Sequence, residues 1–193
     1  MKMSLVQYGL VLWLCAVPAL ALSESAVEPG AGAPRFDIWE YRVDGNSLLD
    51  SATIEQRVYA YLGPERDFGA IEGARDALQA AYHEAGYTQV EVYIPPQEQV
   101  DIGVVTLAVS EPRVERLRVS GARYFLPSDI RAEAPALAEG RVIHQDRVAD
   151  DIAALNRRNP DLQVVPVLRP GTTPGTVEVE LKIRDDLPLH GQV

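Results

Sequence analysis

The sequence holds a single cysteine, Cys15. No disulfide can form within the chain, so its fold must rest on hydrophobic cores alone. Histidine is also scarce. His83, His144 and His190 are scattered along the chain, whereas metal binding or acid–base work needs such groups clustered with carboxylates or with each other. The adjacent pairs Asp150-Asp151 and Asp185-Asp186 point different ways on a helix or a strand, and read as surface charge. Arg157-Arg158, near a helix end, complements the helix dipole. No glycine-rich loop could cradle a phosphate. These absences exclude most enzyme chemistry, and no catalytic residue, cofactor, metal or small-molecule substrate is expected. Basic clusters are missing as well. A formal net charge of −10 excludes nucleic acid as a partner.

The long apolar run is at the N-terminus, where Lys2 precedes Leu5 to Leu20 and Ala19-Leu20-Ala21 supplies an A-x-A cleavage pattern. Residues 1–21 are therefore expected to be a secretory signal peptide. An uncleaved anchor is the alternative, because Leu5 to Leu22 is barely long enough to span a bilayer. Cys15 lies inside this stretch, and Leu12-Trp13-Leu14 makes no lipoprotein box before it. Residues 22–35 follow as a flexible leader, rich in Pro and Gly and without periodicity.

The stretch from Gly86 to Val109 organises the rest. Asp67 to Ala85 has helical periodicity and stops at Gly86. Thr88 to Ile94 alternates as a strand, breaks at Pro95-Pro96-Gln97, and resumes from Gly103 to Val109. The same plan is written twice. Val43-x-Gly45 returns 76 positions later as Val119-x-Gly121, and Leu78 returns 77 later as Leu155. Val90-x-Val92-x-Ile94 returns 74 later as Val164-x-Pro166-x-Leu168, and Gly103 returns 72 later as Gly175. Offsets that drift where loops should fall indicate one duplicated unit.

Each unit reads as β-α-α-β-β. The first has a strand from Phe36 to Val43, and a helix capped by Ser51 or Thr53 that ends at Gly63-Pro64. The helix and two strands already described complete it. The second has strand Val114–Val119, helix Pro127–Ala138, helix Gln145–Arg157, strand Leu162–Leu168 and strand Thr176–Ile183. The expected fold class is α+β, with two helices on one face of a three-stranded mixed sheet in each unit. The expected boundaries are 36–111 and 112–186, with 187–193 as a C-terminal stub. Most of Trp39, Tyr41, Tyr59, Tyr61, Tyr82, Tyr87 and Tyr93 are expected in core or sheet packing, with a minority lining a partner groove.

Several local runs are more specific. They are Tyr41-Arg42-Val43-x-Gly45-Asn46-x-Leu48-Leu49, Tyr61-Leu62-Gly63-Pro64, Ile94-Pro95-Pro96-Gln97, Leu155-Asn156-Arg157-x-Asn159-Pro160, Leu168-Arg169-Pro170-Gly171 and Asp186-Leu187-Pro188-Leu189-His190-Gly191. With the duplicated element order, they resemble the tandem POTRA domains of two-partner secretion transporters, the ShlB/FhaC/HecB family of haemolysin secretion and activation proteins. The resemblance implies a place in the periplasm of a Gram-negative bacterium, at the inner face of the outer membrane. It implies two partners, the unfolded secretion domain of an exported adhesin or haemolysin and an outer-membrane β-barrel in cis or in trans. Two departures stand out. Only nine residues follow Arg184, and a barrel strand needs about ten, so the expectation is a fragment of a transporter or a barrel-less relative. The leader is also too short and too rich in Pro and Gly for a pore-plugging helix. A division-protein scaffold of the FtsQ type with an uncleaved anchor is the alternative.

The expected binding site is a sheet edge. Pro166 has no N–H, and proline enters a strand only at an edge, with its nitrogen facing outward. Val164, Val165, Pro166, Val167 and Leu168 therefore form one edge. The 74-residue offset places Val92 opposite Pro166 in the repeat, so Val90, Glu91, Val92, Tyr93 and Ile94 are expected to form the main partner-binding edge by strand addition. The N–H groups of Val90, Val92 and Ile94 are expected to face outward as an unbroken row of donors, with those of Glu91 and Tyr93 bonded inward.

Overall fold

A computed structural model of the chain describes residues 34–97 and 102–187. The signal peptide, His190 and nearly all of the stub lie outside these residues, as does most of the leader. Two hydrophobic clusters form two cores. One gathers Ile38, Ile71, Leu78, Tyr82, Val105 and Leu107; the other gathers Ile130, Leu137, Leu155, Val179 and Leu181.

In the first unit, β1 (Phe36–Ile38) and β2 (Glu40–Asp44) precede α1 (Ser51–Val58) and a 3-10 turn at Tyr59–Tyr61. Then come β3 (Gly63–Arg66), α2 (Phe68–Glu84), β4 (Glu91–Tyr93) and β5 (Val104–Ser110). The sheet order is β2-β5-β4, with β2 parallel and β4 antiparallel to β5. Along β5, Val105, Leu107 and Val109 turn into the core and their neighbours turn away, the period of two that a one-sided sheet requires. Helix α2 buries Ile71, Ala74, Leu78, Ala81 and Tyr82, and the Asp67 carboxylate caps it by accepting the Ala70 N–H.

The second unit repeats the plan with β6 (Arg113–Ser120), α3 (Pro127–Ala132), a 3-10 turn at Pro135–Leu137, α4 (Gln145–Arg158), β7 (Leu162–Pro170) and β8 (Thr176–Asp185). Its sheet order is β6-β8-β7, again with one parallel and one antiparallel pair.

Four expectations need correction. The strand Phe36 to Val43 is broken at Trp39. Both Trp39 and Glu40 donate to the Gly103 carbonyl, at 2.8 and 3.2 Å, and β1 leaves the main sheet to pair with β3. Strand β3 itself was missed, because Gly63-Pro64 reads only as a stop. Helix α1 starts after Asp50, whose carboxylate accepts the Thr53 hydroxyl, so neither Ser51 nor Thr53 is the cap. The helix expected to run to Ala138 ends at Ala132, since Ala134 precedes a proline and is excluded from helical geometry.

Candidate functional site

Both candidate edges lie at the outer side of their sheets, because β4 and β7 each have a single strand neighbour. On β4, Val92 is buried and Glu91 and Tyr93 are exposed. Val90 is buried just before the strand, and Ile94 packs on the first core just after it. On β7, Val164 is buried, Val165 and Leu168 are exposed, and Pro166 and Val167 are half-buried. The structure therefore brings the two expected sets to two separate edges.

The outward backbone donors are not an open row. The Val90 N–H donates to the Tyr87 carbonyl at 3.2 Å. The Val92 N–H donates to Oε1 of Gln79, on α2, at 3.2 Å. Only the Ile94 N–H has no partner among the described residues. The second unit does the same with different residues. The Leu162 N–H donates to the Asn159 carbonyl at 2.9 Å, and the Val164 N–H donates to Oδ1 of Asn156, on α4, at 3.1 Å.

These bonds also correct the repeat. Val92 faces Val109 on β5, and Val164 faces Ile183 on β8. Val109 and Ile183 are themselves counterparts: a Cβ on Gly45 would overlap the carbonyl oxygen of the first, and a Cβ on Gly121 that of the second. The counterpart of Val92 is therefore Val164, and Pro166 corresponds to Ile94. The alternating pattern matches equally well after a slip of two residues, because a strand's side chains repeat every two. The expected equivalence of Val92 with Pro166 falls on that slip.

Where β4 stops, a side chain continues its work. The register that pairs Tyr93 with Ala108 would next pair Pro95 with Thr106, and Pro95 has no N–H to offer. The Gln97 amide replaces it, donating from Nε2 to the Thr106 carbonyl at 2.8 Å and accepting the Thr106 N–H at Oε1 at 2.9 Å.

Matching acids brace the two units. Glu111, after β5, accepts the Ser47 N–H at 2.7 Å and its hydroxyl. Asp185, ending β8, accepts the N–H groups of Arg123, Tyr124 and Phe125 at 2.8, 2.7 and 3.3 Å, and these bonds lower its pKa. Glu115 is squeezed out of the β6–β8 register and clamps the β7–β8 hairpin, bonding the Thr172, Thr173 and Thr176 groups. Those bonds, first the hydroxyl of Thr172, hold its carboxyl down at about 2. The two units meet where the Gln145 N–H donates to the Gly86 carbonyl at 2.9 Å and the His144 ring packs edge-on against Tyr87, centroids 5.1 Å apart. Half-buried Val142 reaches into the first core.

Of the seven aromatics singled out by the sequence, Tyr82 is fully buried, and Tyr41, Tyr61 and Tyr87 pack partly on the first core. Burial pushes the Tyr41 hydroxyl up to about 12. Trp39, Tyr59 and Tyr93 are exposed. His83 is exposed on the last turn of α2, and His144 sits at the unit junction. Among the described residues no three His, Cys, Asp or Glu side chains converge as metal ligands, and no helix is long and apolar enough to cross a membrane.

Residues 36–112 match the family model described as POTRA domain, ShlB-type. The match covers the first unit. The second shares its element order and sheet order, and solved structures extend the POTRA likeness over both. The chain superposes on CdiB from Escherichia coli with a TM-score of 0.68 and 22% identity, covering 83% of this chain and 29% of CdiB. It is similar to the N-terminal domain of Omp85 from Thermosynechococcus elongatus, with a TM-score of 0.65 and 25% identity, covering 80% and 68% of the two chains. POTRA1-3 of the periplasmic domain of Omp85 from Anabaena gives 0.67 and 23%, covering 81% and 67%. The chain spans under a third of the CdiB chain it resembles. No curated protein matches the sequence. The expected α+β fold is the one observed.

Proposed function

We propose that this chain is the periplasmic POTRA portion of a two-partner secretion transporter. It captures the unfolded secretion domain of an exported adhesin or haemolysin and passes it to an outer-membrane β-barrel. In this reading residues 1–21 are removed as a signal peptide, residues 22–35 are a leader, and residues 36–111 and 112–186 act as two successive POTRA domains before a short stub, 187–193. The observation that carries it is the β4 edge of a ShlB-type domain, with the Ile94 N–H unpaired among the described residues beside the exposed Tyr93.

A strand added at Val90 to Ile94 makes only a few backbone bonds, each worth about 1 kcal/mol net. Association itself costs on the order of 4 to 15 kcal/mol. Capture at one edge is therefore weak, as suits a station that must release its cargo, and contacts elsewhere on the pair, including the β7 edge from Val164 to Leu168, add to it.

The test is titration of the purified chain with an unfolded two-partner secretion domain. The expected result is weak binding, reduced by Ile94→Pro and unaffected by a folded control protein. A dissociation constant in the nanomolar range, or no binding, overturns the hand-off role. Intact mass of the periplasmic protein should show a chain beginning at Leu22.

A further inference from the structure

Both sheet edges are closed by the same device at equivalent places. Gln79 follows Leu78 on α2, and Asn156 follows Leu155 on α4; each leucine is buried in its unit's core. Each carboxamide reaches the edge strand and accepts one outward N–H, that of Val92 or of Val164. A capped donor is one that an incoming chain cannot use, and edge protection of this kind keeps sheets from pairing with the wrong strand.

The two edges differ one step further along. After Val92 the next outward donor is that of Ile94. After Val164 the next outward position is Pro166, and Leu168, the outward donor beyond it, is followed by Pro170, so past Val164 no two successive outward positions of β7 both carry an N–H. A side chain can swing away, whereas a proline cannot regain a hydrogen.

We propose that Gln79 is a displaceable cap on the β4 edge, and that an extended partner segment replaces it, its carbonyls accepting the N–H groups of Val92 and Ile94 together. This rests on the strand-addition reading above. It assigns recognition to the first POTRA domain and makes Gln79 its specificity-determining residue. A folded protein, whose strand carbonyls are already paired, gains too little to displace the cap. The partner is an unfolded chain with β-branched residues and two successive free carbonyls on one edge.

The probe is a fluorescently labelled ten-residue peptide of alternating Thr and Val with a Lys at each end, titrated against the full chain by anisotropy. The parent should bind weakly, and Gln79→Ala about fivefold more tightly, the factor one net backbone hydrogen bond is worth. Asn156→Ala should leave binding unchanged, because Pro166 still interrupts that edge. Ile94→Pro should weaken binding with or without Gln79. Hydrogen exchange at the Val92 amide should speed up in Gln79→Ala while core amides stay protected, which separates opening of the cap from unfolding. If Gln79→Ala unfolds the domain, Gln79→Met, similar in volume without an acceptor, repeats the comparison. Unchanged or weaker binding by the Gln79 variants, with Ile94→Pro still damaging, overturns the cap and leaves the edge reading intact. Indifference to Ile94→Pro sinks both.

Discussion

The Gln97 side chain is bonded to both backbone groups of Thr106, its Nε2 donating to the carbonyl and its Oε1 accepting the N–H, at 2.8 and 2.9 Å. One side-chain amide stands in for the peptide that Pro95 cannot supply, and β5 stays paired beyond the end of β4.

Removing that amide should be felt in stability. Gln97→Ala leaves a partly buried N–H and carbonyl without their partner, at a cost of about 1–3 kcal/mol. Urea unfolding should show a lower midpoint with little change in slope. A midpoint equal to the parent's means that water replaces the side chain.

Proline scanning separates the two faces of β4. By the alternation that turns the Val92 N–H outward, the Glu91 N–H faces β5, so Glu91→Pro removes a ladder bond and should destabilise the first unit by about 3 kcal/mol. Val92→Pro removes only the bond to Gln79 and the packing of the valine. Equal melting temperatures for the two variants would show that the register is misassigned.

Acid should loosen the β7–β8 hairpin through Glu115. Its carboxyl is held near 2 in the folded protein against an ordinary value of 4.5. A lowered folded-state pKa stabilises fully above the ordinary value and fades as pH falls from about 4.5 towards 2. The melting temperatures of the parent and Glu115→Gln should therefore differ most above pH 5 and converge near pH 2. Asp185 and Glu180 are also lowered, but they are common to both proteins and cancel in the difference. A gap that widens in acid refutes the clamp.

The unit junction can be probed by a double-mutant cycle. Gly86 has φ +86°, and a Cβ there would lie 2.7–3.1 Å from three atoms of the His144 ring. Gly86→Ala should cost about 1–2 kcal/mol from the left-handed backbone alone, and more from the clash. His144→Ala should recover the clash part and leave the backbone part. Strictly additive effects would mean that the ring and the glycine do not meet in solution.

Helices α2 and α4, the paired glycines Gly45 and Gly121, and the edge positions of β4 and β7 were legible because periodicity, turn chemistry and proline each leave a local mark. Strand β3 was not, since its four residues carry two turn formers, Gly63 and Pro64, and its partner is a strand of only three residues. The break after Ala132 had its signal in Pro135, outvoted by the helical spacing around it. The slip between Val92 and Pro166 came from a pattern that looks the same two residues on; only the cross-strand partners Val109 and Ile183 fix it. The caps Gln79 and Asn156 and the brace Gln97 are single amides borrowed for backbone duty, and an amide has no periodicity to betray that use.

A sheet edge open to cargo is equally open to another copy of the same protein. Two carboxamides and two prolines make each molecule a poor template for its own kind. A crowded population of these domains could stay dispersed while remaining receptive to a chain that has not yet folded, because the discrimination lies between paired and unpaired backbone and needs no particular cargo sequence.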